Sequence, residues 1–210
     1  MKKSFLCLLI LGPLFMIACS QLEETTSEDE SIVLSDKDVL LQKSEKLFNN
    51  LKELNWTQLS KEVHPEKGLT FSFYADIGSP HSNEITFTKN EVQKFSSDEK
   101  IYTWGYDLSD KAFNYTVNEY VRYYLLSHLQ VNPLDYTEIT YNENYFESGG
   151  IINTIHEYYP KAIFVEYHSP PLTDSSNEHV EYQWQSLRFV YEKVKSEWYL
   201  FAIVRDVHSP

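Results

Sequence analysis

Two arginines lie in the last strands that the sequence predicts, where a charged side chain is costly unless it is paired. The chain has 15 lysines but only three arginines, and both Arg188 and Arg205 fall within alternating apolar segments. A guanidinium on the inner face of a sheet can hold a carboxylate or another anion through two hydrogen bonds. The alternatives are a structural ion pair of Arg188 with Glu166, Glu192 or Asp206, and a position on an exposed face of the sheet.

Two further residues complete this candidate ligand-binding site. Glu166 supplies a carboxylate, and Trp104 supplies a ring on which a ligand can stack, with packing in the core as its alternative role. Glu166 and Asp206 would also suit a cofactor-free enzyme in which a buried carboxylate works beside a tyrosine. Because the chain has 16 tyrosines, a tyrosine near a carboxylate says little about catalysis.

His64 is a candidate catalytic base or metal ligand. It stands directly before a proline, and a residue in that position is pushed out of the helical conformation. The alternative is therefore structural: the His-Pro pair ends a helix, and Gly68 then begins the first strand.

Metal-ligand spacings are absent from the sequence. The seven histidines are scattered, without an H-x-H, H-E-x-x-H or C-x-x-C pattern. His168 and His179 flank a loop with Asp174 and Glu178, the one set that could converge. We expect no metal and no cofactor.

The first 18 residues have the composition of an export signal. Lys2 and Lys3 precede an apolar stretch that is too short to span a membrane comfortably. The stretch ends Met16-Ile17-Ala18-Cys19, which resembles the lipobox of bacterial lipoproteins. This resemblance implies cleavage between Ala18 and Cys19 and lipid on Cys19; the alternative is an ordinary secretory signal with a chance cysteine. Several acyl chains together give stable anchoring.

Residues 19–37 are expected to form an acidic, disordered tether behind the lipid. Residues 20–38 contain seven acidic residues, one lysine and no aromatic residue. The whole chain has a formal net charge of −13, and loss of Lys2 and Lys3 with the signal leaves −15. Such a charge repels phosphate backbones, so we expect no nucleic-acid partner.

The remaining pattern predicts an α+β domain, with helices first and mostly antiparallel strands after them. The last two strands are expected to form a hairpin through residues 194–196. In the second of them, alternation puts Tyr199, Phe201, Ile203 and Arg205 on one face. The predicted helices lie within 39–63, 88–95, 116–129 and 154–158, and the predicted strands within 69–74, 101–106, 136–141, 161–168, 181–193 and 197–205.

The chain also resembles bacterial lipoproteins and secreted proteins of the nuclear transport factor 2-like (cystatin-like cone) type. The matching stretches are VHPEKGLTFSFYA at 63–75, KIYTWGYD at 100–107, KAIFVEYH at 161–168 and WQSLRFVYEKVKSEWYLFAIVRD at 184–206. The resemblance implies N-terminal helices packed on a strongly curved, mostly antiparallel sheet, in a single cone-shaped domain over residues 38–210. It implies no reaction, because the fold hosts enzymes and binding modules alike.

The expected function is that of a binding module held on the extracytoplasmic face of the cell membrane. Its partner is either a small ligand or a cell-surface protein or peptide, in addition to the membrane that takes the lipid anchor. The alternatives are a small isomerase-like or dehydratase-like enzyme and an envelope interaction protein without a ligand pocket. The lysine-rich, arginine-poor composition favours a Gram-positive source.

Substitution Cys19→Ser tests the lipobox, because an oxygen in place of the thiol leaves no acceptor for the lipid. We expect the variant to incorporate no radiolabelled palmitate and to accumulate as the uncleaved precursor. Globomycin, which blocks lipoprotein signal peptidase, should likewise leave the wild-type chain uncleaved. Cys7→Ser is the matched control and should mature normally. Unchanged processing of Cys19→Ser would contradict the lipobox interpretation.

Overall fold

The computed structural model of the protein describes residues 34–107, 109–128, 132–145, 151–171 and 184–208. The predicted signal peptide, Cys19 and the tether up to residue 33 lie outside these ranges, as do Asp174, Glu178 and His179. From Leu34 onwards the chain forms one compact unit.

Five helices and ten strands follow one another along the described residues. The helices are α1 (Asp36–Lys52), α2 (Trp56–Leu59), α3 (Lys89–Lys94), α4 (Val117–Tyr120) and α5 (Ile155–Tyr158). The strands are β1 (Leu69–Ser72), β2 (Glu84–Phe87), β3 (Tyr102–Tyr106), β4 (Ala112–Tyr115), β5 (Ser127–His128), β6 (Asn132–Pro133), β7 (Glu138–Tyr141), β8 (Ile163–Ser169), β9 (Gln185–Val194) and β10 (Glu197–Val207). Within the described residues, no helix combines the length and the apolar character needed to cross a membrane.

Six strands form one sheet in the order β2-β1-β10-β9-β8-β7. Every neighbouring pair is antiparallel except β1 and β10, which run parallel. Strands β3 and β4 form a separate two-stranded ribbon, as do β5 and β6. The predicted α+β class with a mostly antiparallel sheet is thereby confirmed.

Helix α1 begins with a complete capping box. The Ser35 hydroxyl accepts the N–H of Asp38, and the Asp38 carboxylate accepts the Ser35 N–H. The buried side of the helix carries Leu40, Leu47 and Leu51, so α1 packs one apolar stripe on the sheet. The helix starts before the expected domain boundary at residue 38.

The hairpin of β9 and β10 forms as predicted, with Val194 opposite Glu197. Its turn holds Lys195 at a positive φ of 58°. The register shifts between Leu200 and Ala202, and such a bulge adds one residue to one strand. As a result Phe201 packs with the opposite face from Ile203, and the prediction that both share a face with Arg205 is wrong.

The two faces of the sheet carry separate apolar cores. The core under α1 and α4 is the larger one, and alternate residues of β9 such as Leu187 and Phe189 point into it. Val190 of the same strand belongs to a smaller core on the other face, with Ile77, Phe164 and Val204 among its members. The central strands are therefore buried on both sides, and polar residues such as Glu166 and Arg188 are buried in them together with the apolar ones.

The helix that begins at α4 ends earlier than predicted. A capping box at Thr116 starts it as expected, but a π-helical turn, Val121–Leu125, replaces the predicted continuation to residue 129. The Leu126 N–H bonds to the Val121 carbonyl at 2.9 Å, the wider spacing of a π-turn. Two nearby carbonyls, those of Tyr124 and Leu125, accept side-chain donors.

His64 ends the second helical segment and holds the turn that precedes β1. Its ring is buried, and Nδ1 accepts the N–H groups of Glu66 and Lys67 at 3.2 and 3.0 Å. Burial lowers the pKa of His64, in keeping with a neutral ring that accepts hydrogen bonds. His64 therefore has the structural role given above as the alternative: it ends the helical segment, and its ring accepts hydrogen bonds from the amides of the following turn.

We expect Gly68→Ala to disrupt the entry into β1. Gly68 has a φ of +74°, and an added Cβ would lie 2.2 Å from the Phe87 carbonyl oxygen of β2. Backbone strain and the clash should together lower the free energy of unfolding by more than about 2 kcal/mol. Urea denaturation measures this loss; Glu66→Ala, at an exposed position in the same turn, is the control and should change little. Equal stability of the two variants would contradict the close packing.

Candidate functional site

A buried ionic cluster joins the three central strands of the sheet. Arg188 of β9 donates from Nε to the Glu166 carboxylate of β8 at 2.6 Å and from Nη2 to the Asp206 carboxylate of β10 at 2.7 Å. Arg188 and Glu166 are 1% and 0% exposed. The structure thus shows the ion pair that the sequence offered as the alternative for Arg188.

The cluster holds two carboxylates against one guanidinium. Burial raises the pKa of Asp206, and Arg188 opposes this rise by charge and hydrogen bonding. The pKa of Arg188 is raised because the two carboxylates outweigh the effect of burial. Arg188 Nη1 is buried and has no hydrogen-bond partner among the described residues. An anionic ligand would therefore have to compete with two carboxylates that already bind the Arg188 guanidinium.

Ser186 and His168 extend the cluster along the same face of the sheet. The Ser186 hydroxyl donates to Glu166 at 2.6 Å and lies 2.9 Å from His168 Nδ1. Ser186 thus links the Glu166 carboxylate to the His168 ring, and with 1% of its surface exposed it is buried with them. Burial lowers the pKa of His168.

Arg205 lies on the opposite face, in the larger core. Its Nε donates to the Tyr124 carbonyl at 3.1 Å and to the Gln185 side chain at 3.0 Å, and its guanidinium lies 4.9 Å from the centre of the Phe73 ring. Burial lowers its pKa. A cation near helical carbonyls is favoured by the helix dipole, so Arg205 stabilises the end of the π-helical turn.

Trp104 is part of the same core. It is 2% exposed, its ring stacks on Tyr120 at 3.8 Å, and its Nε1 donates to the Tyr115 carbonyl. Trp104 is therefore packed in the core, which is the alternative role that the sequence offered for it. The four predicted ligand-site residues separate into two groups on opposite faces: Glu166 with Arg188, and Trp104 with Arg205.

An open groove lies between α1 and the edge strand β7. It has a volume of about 620 Å³. Lys37, Glu45 and Lys52 of α1 stand along it, and the lysine ammonium groups of Lys37 and Lys52 lie 5.8 and 5.0 Å from the ring centres of Tyr141 and Phe48. We call it the α1–β7 groove; its apolar lining consists of Leu41, Phe48, Tyr136, Ile139, Tyr141 and Tyr167.

The aromatic rings that line the α1–β7 groove pack against one another. Phe48 stacks on Tyr167 at 4.7 Å and meets Tyr136 edge-on at 5.3 Å, while the Tyr136 hydroxyl donates to the Leu125 carbonyl. Ile139 is 51% exposed at the open side. The groove therefore combines a fixed aromatic surface with an accessible apolar side chain, as ligand and peptide sites do.

A second groove, of about 510 Å³, lies on the other side of α1 and is more polar. Lys43, Asn50, Gln58 and Glu62 are among its lining residues, and Lys43 forms an ion pair with Glu62. Lys46 also lines this groove, and Leu34, Val39 and Leu47 provide its apolar part. Unlike the α1–β7 groove, it has no aromatic ring in its lining.

Sequence reasoning missed the α1–β7 groove. Alternation in β7 correctly puts Ile139 and Tyr141 on one face, but it does not reveal that β7 is the last strand of the sheet. The exposure of Ile139 depends on that position. The only signal in the sequence was the apolar pair itself.

The part of the chain described by the structure contains no group of three histidine, cysteine or acidic side chains arranged to hold a metal ion. The predicted set around His168 includes residues outside the described ranges. Comparisons of the chain with protein-family profiles, with curated proteins and with solved structures find no match.

We expect Arg188→Ala to lower the free energy of unfolding by about 3–5 kcal/mol near neutral pH, because two buried carboxylates lose their cation. Without Arg188 the pKa of Asp206 should rise further above its unfolded value. A carboxyl group whose pKa is higher in the folded than in the unfolded state destabilises the fold once the pH is high enough to ionise it. The loss in the free energy of unfolding caused by Arg188→Ala should therefore become smaller at acidic pH. Urea denaturation at neutral and mildly acidic pH measures both.

Lys193→Ala serves as the control for this measurement. Lys193 pairs with Asp36 at the exposed surface, at 2.9 Å, and its loss should cost less than about 1 kcal/mol. If Arg188→Ala were equally destabilised at both pH values, uncompensated carboxylates would not be the cause.

Proposed function

We propose that the protein is a lipid-anchored binding module on the extracytoplasmic face of the cell membrane. In this proposal Cys19 carries the lipid, the acidic residues up to 37 act as a tether, and the α1–β7 groove takes an apolar segment of a partner protein at the cell surface. The anchor rests on the lipobox-like sequence. The binding role rests on the groove.

The observation that carries the binding role is the exposed apolar side chain of Ile139 beside a row of packed aromatic rings. A single exposed isoleucine is ordinary, but one that adjoins a contiguous apolar surface with a charged rim is typical of interaction sites. Lys37 and Lys52 add positive charge at the two ends of this surface in a strongly acidic chain. An apolar segment with acidic ends is the complementary partner.

We also propose that the domain belongs to the nuclear transport factor 2-like cone type. Two features support this: the α1 and α2 helices precede the sheet, and α1 packs on one face of a mostly antiparallel sheet. Comparisons with solved structures provide no independent support. The binding role does not depend on this assignment, because a fold of this type hosts many activities.

The enzyme alternative needs a buried carboxylate that faces a ligand space. Asp206 meets the first condition, since burial raises its pKa. Its carboxylate is nevertheless bound by Arg188, and Asp206 lines neither groove beside α1. For these reasons binding, rather than catalysis, is our proposal.

The proposal is tested by selecting peptides from a random twelve-residue display library on the folded domain, residues 34–210. Substitution Ile139→Asp puts a charge into the apolar surface and should lower the affinity for the selected peptides by about tenfold or more. Fluorescence anisotropy measures the affinities. Thermal denaturation checks that the variant is folded, as the exposure of Ile139 leads us to expect.

Ile101→Asp is the matched control. Ile101 is 56% exposed and does not line the α1–β7 groove, so peptide affinity should be unchanged. A library that yields no binding peptide, or peptides that bind both variants as well as the wild-type domain, would overturn the proposed binding site.

A further inference from the structure

The hydrogen-bond pattern between β7 and β8 fixes which backbone groups of β7 face outward. The Asn142 N–H donates to the opposite Phe164 carbonyl at 2.8 Å, and the register continues without a bulge, with Thr140 opposite Glu166. In an antiparallel pair, residues alternate between bonding to the neighbour and pointing away from it. The N–H and C=O groups of Ile139 and Tyr141 therefore point away from β8.

These outward groups lie on the open edge of the sheet. Strand β7 is the last one in the sheet order, and within the described residues the backbone groups of Ile139 and Tyr141 have no hydrogen-bond partner. An unpaired edge is a template for another strand. Native proteins usually shield such edges, so one that lies beside an apolar groove is a site for a partner.

The side chains of the same two residues line the α1–β7 groove. A strand added beside β7 would therefore direct every second side chain into the groove, because alternate side chains of a strand share a face. The groove thus lies beside the outward edge of β7 and is lined on its other side by α1.

We propose that the partner's segment binds by strand addition: an extended peptide pairs with Ile139 and Tyr141 as a seventh strand and fills the α1–β7 groove with alternate apolar side chains. This inference rests on the proposed function and specifies its partner class. Because β7 has four residues and only two of them face outward, the groove contacts must provide much of the affinity.

The spacing of the two lysines sets the length of the peptide. Lys37 and Lys52 are 15 residues apart on α1, which corresponds to about 22 Å of helix. A strand covers that distance with about seven residues. Tyr141 lies near Lys37, and Phe48, which contacts Tyr136, lies near Lys52, so β7 and α1 run antiparallel along the groove. Carboxylates at the ends of a seven-residue segment would meet these lysines.

Charge disfavours a second copy of this chain as the added strand. The formal net charge of −13 makes two copies repel each other. The groove itself has a positive local balance, with two lysines and one glutamate. A different protein, with an apolar segment between acidic residues, is the better match.

The test uses the peptides selected from the library and two substitutions at one position. Ile139→Ala removes the side chain but keeps the outward N–H, whereas Ile139→Pro removes the N–H as well. Proline is tolerated at an edge strand where the N–H faces solvent. We expect Ile139→Pro to bind at least about fivefold more weakly than Ile139→Ala, the effect of one lost hydrogen bond or more.

Two measurements give independent readouts. Hydrogen exchange should show that the amides of Ile139 and Tyr141 exchange rapidly in the free protein and become protected in the complex, while Thr140 is protected in both states. A selected peptide that is N-methylated at alternate residues along its pairing edge should lose binding to the wild-type domain, even if Ile139→Pro does not fold. The peptide methylated on the other edge is its control.

The outcomes separate this inference from the proposed function. Peptides that bind Ile139→Ala and Ile139→Pro equally well and leave the amides of Ile139 and Tyr141 unprotected would overturn strand addition. The effect of Ile139→Asp on affinity would still test whether the peptides bind in the groove. Absence of any binding peptide would overturn both. Self-association of the wild-type domain in sedimentation, abolished by Ile139→Pro, would identify a second copy as the added strand and overturn the partner peptide.

Discussion

The ionic cluster of Arg188, Glu166 and Asp206 constrains the rest of the structure. Each of its members lies on a different central strand, so the cluster fixes the register of β8, β9 and β10 relative to one another. A slip of one residue would move every side chain to the other face of the sheet. It would leave Arg188 in the larger apolar core without a carboxylate, which is costly enough to exclude the slipped register.

Once this register is fixed, the opposite face of the same strands is fixed as well. Arg205 then lies under the π-helical turn, where it and Gln185 donate to the Tyr124 carbonyl. The turn explains why an arginine is retained in an aromatic core: its carbonyls need donors, and burial leaves no water to provide them. Trp104 and Tyr120 fill the space around this end of the helix.

The surface that we propose as the binding site lies at the last strand of the described sheet. The side chains of the central strands are covered on both faces, whereas β7 pairs only with β8 among the described strands, and side chains of α1 and β7 together line the α1–β7 groove. The apolar rings of the groove are part of the same packing that holds α1 in place, since Phe48 contacts both Tyr136 and Tyr167. A partner would thus bind to a rigid surface with little reorganisation, which favours affinity.

Local features were predicted well from the sequence because they depend on neighbouring residues. The helix starts near residues 88 and 116, the hairpin around Lys195 and the helix end at His64 follow from short-range hydrogen bonds and backbone preferences. Predictions failed where distant residues intervene: the bulge before Ala202 moved Phe201 to the other face, and the π-helical turn at Val121–Leu125 ended a helix that its own sequence would continue.

The sequence by itself determined the α+β class, the order of the helices, and six of the ten strands in the described residues; it did not predict β2, β4, β5 or β6. For Arg188 it left the ion pair and the ligand site as open alternatives. It also supplies the lipobox-like segment at Cys19, which is a property of the chain rather than of the fold. Only the tertiary structure decided that Arg188 pairs with two carboxylates, that Arg205 faces away from it, and that Ile139 lies on the last strand of the sheet formed by the described residues. The reason is physical: charge pairing, choice of face and exposure depend on which strands become neighbours, and that is settled by packing across the whole sheet.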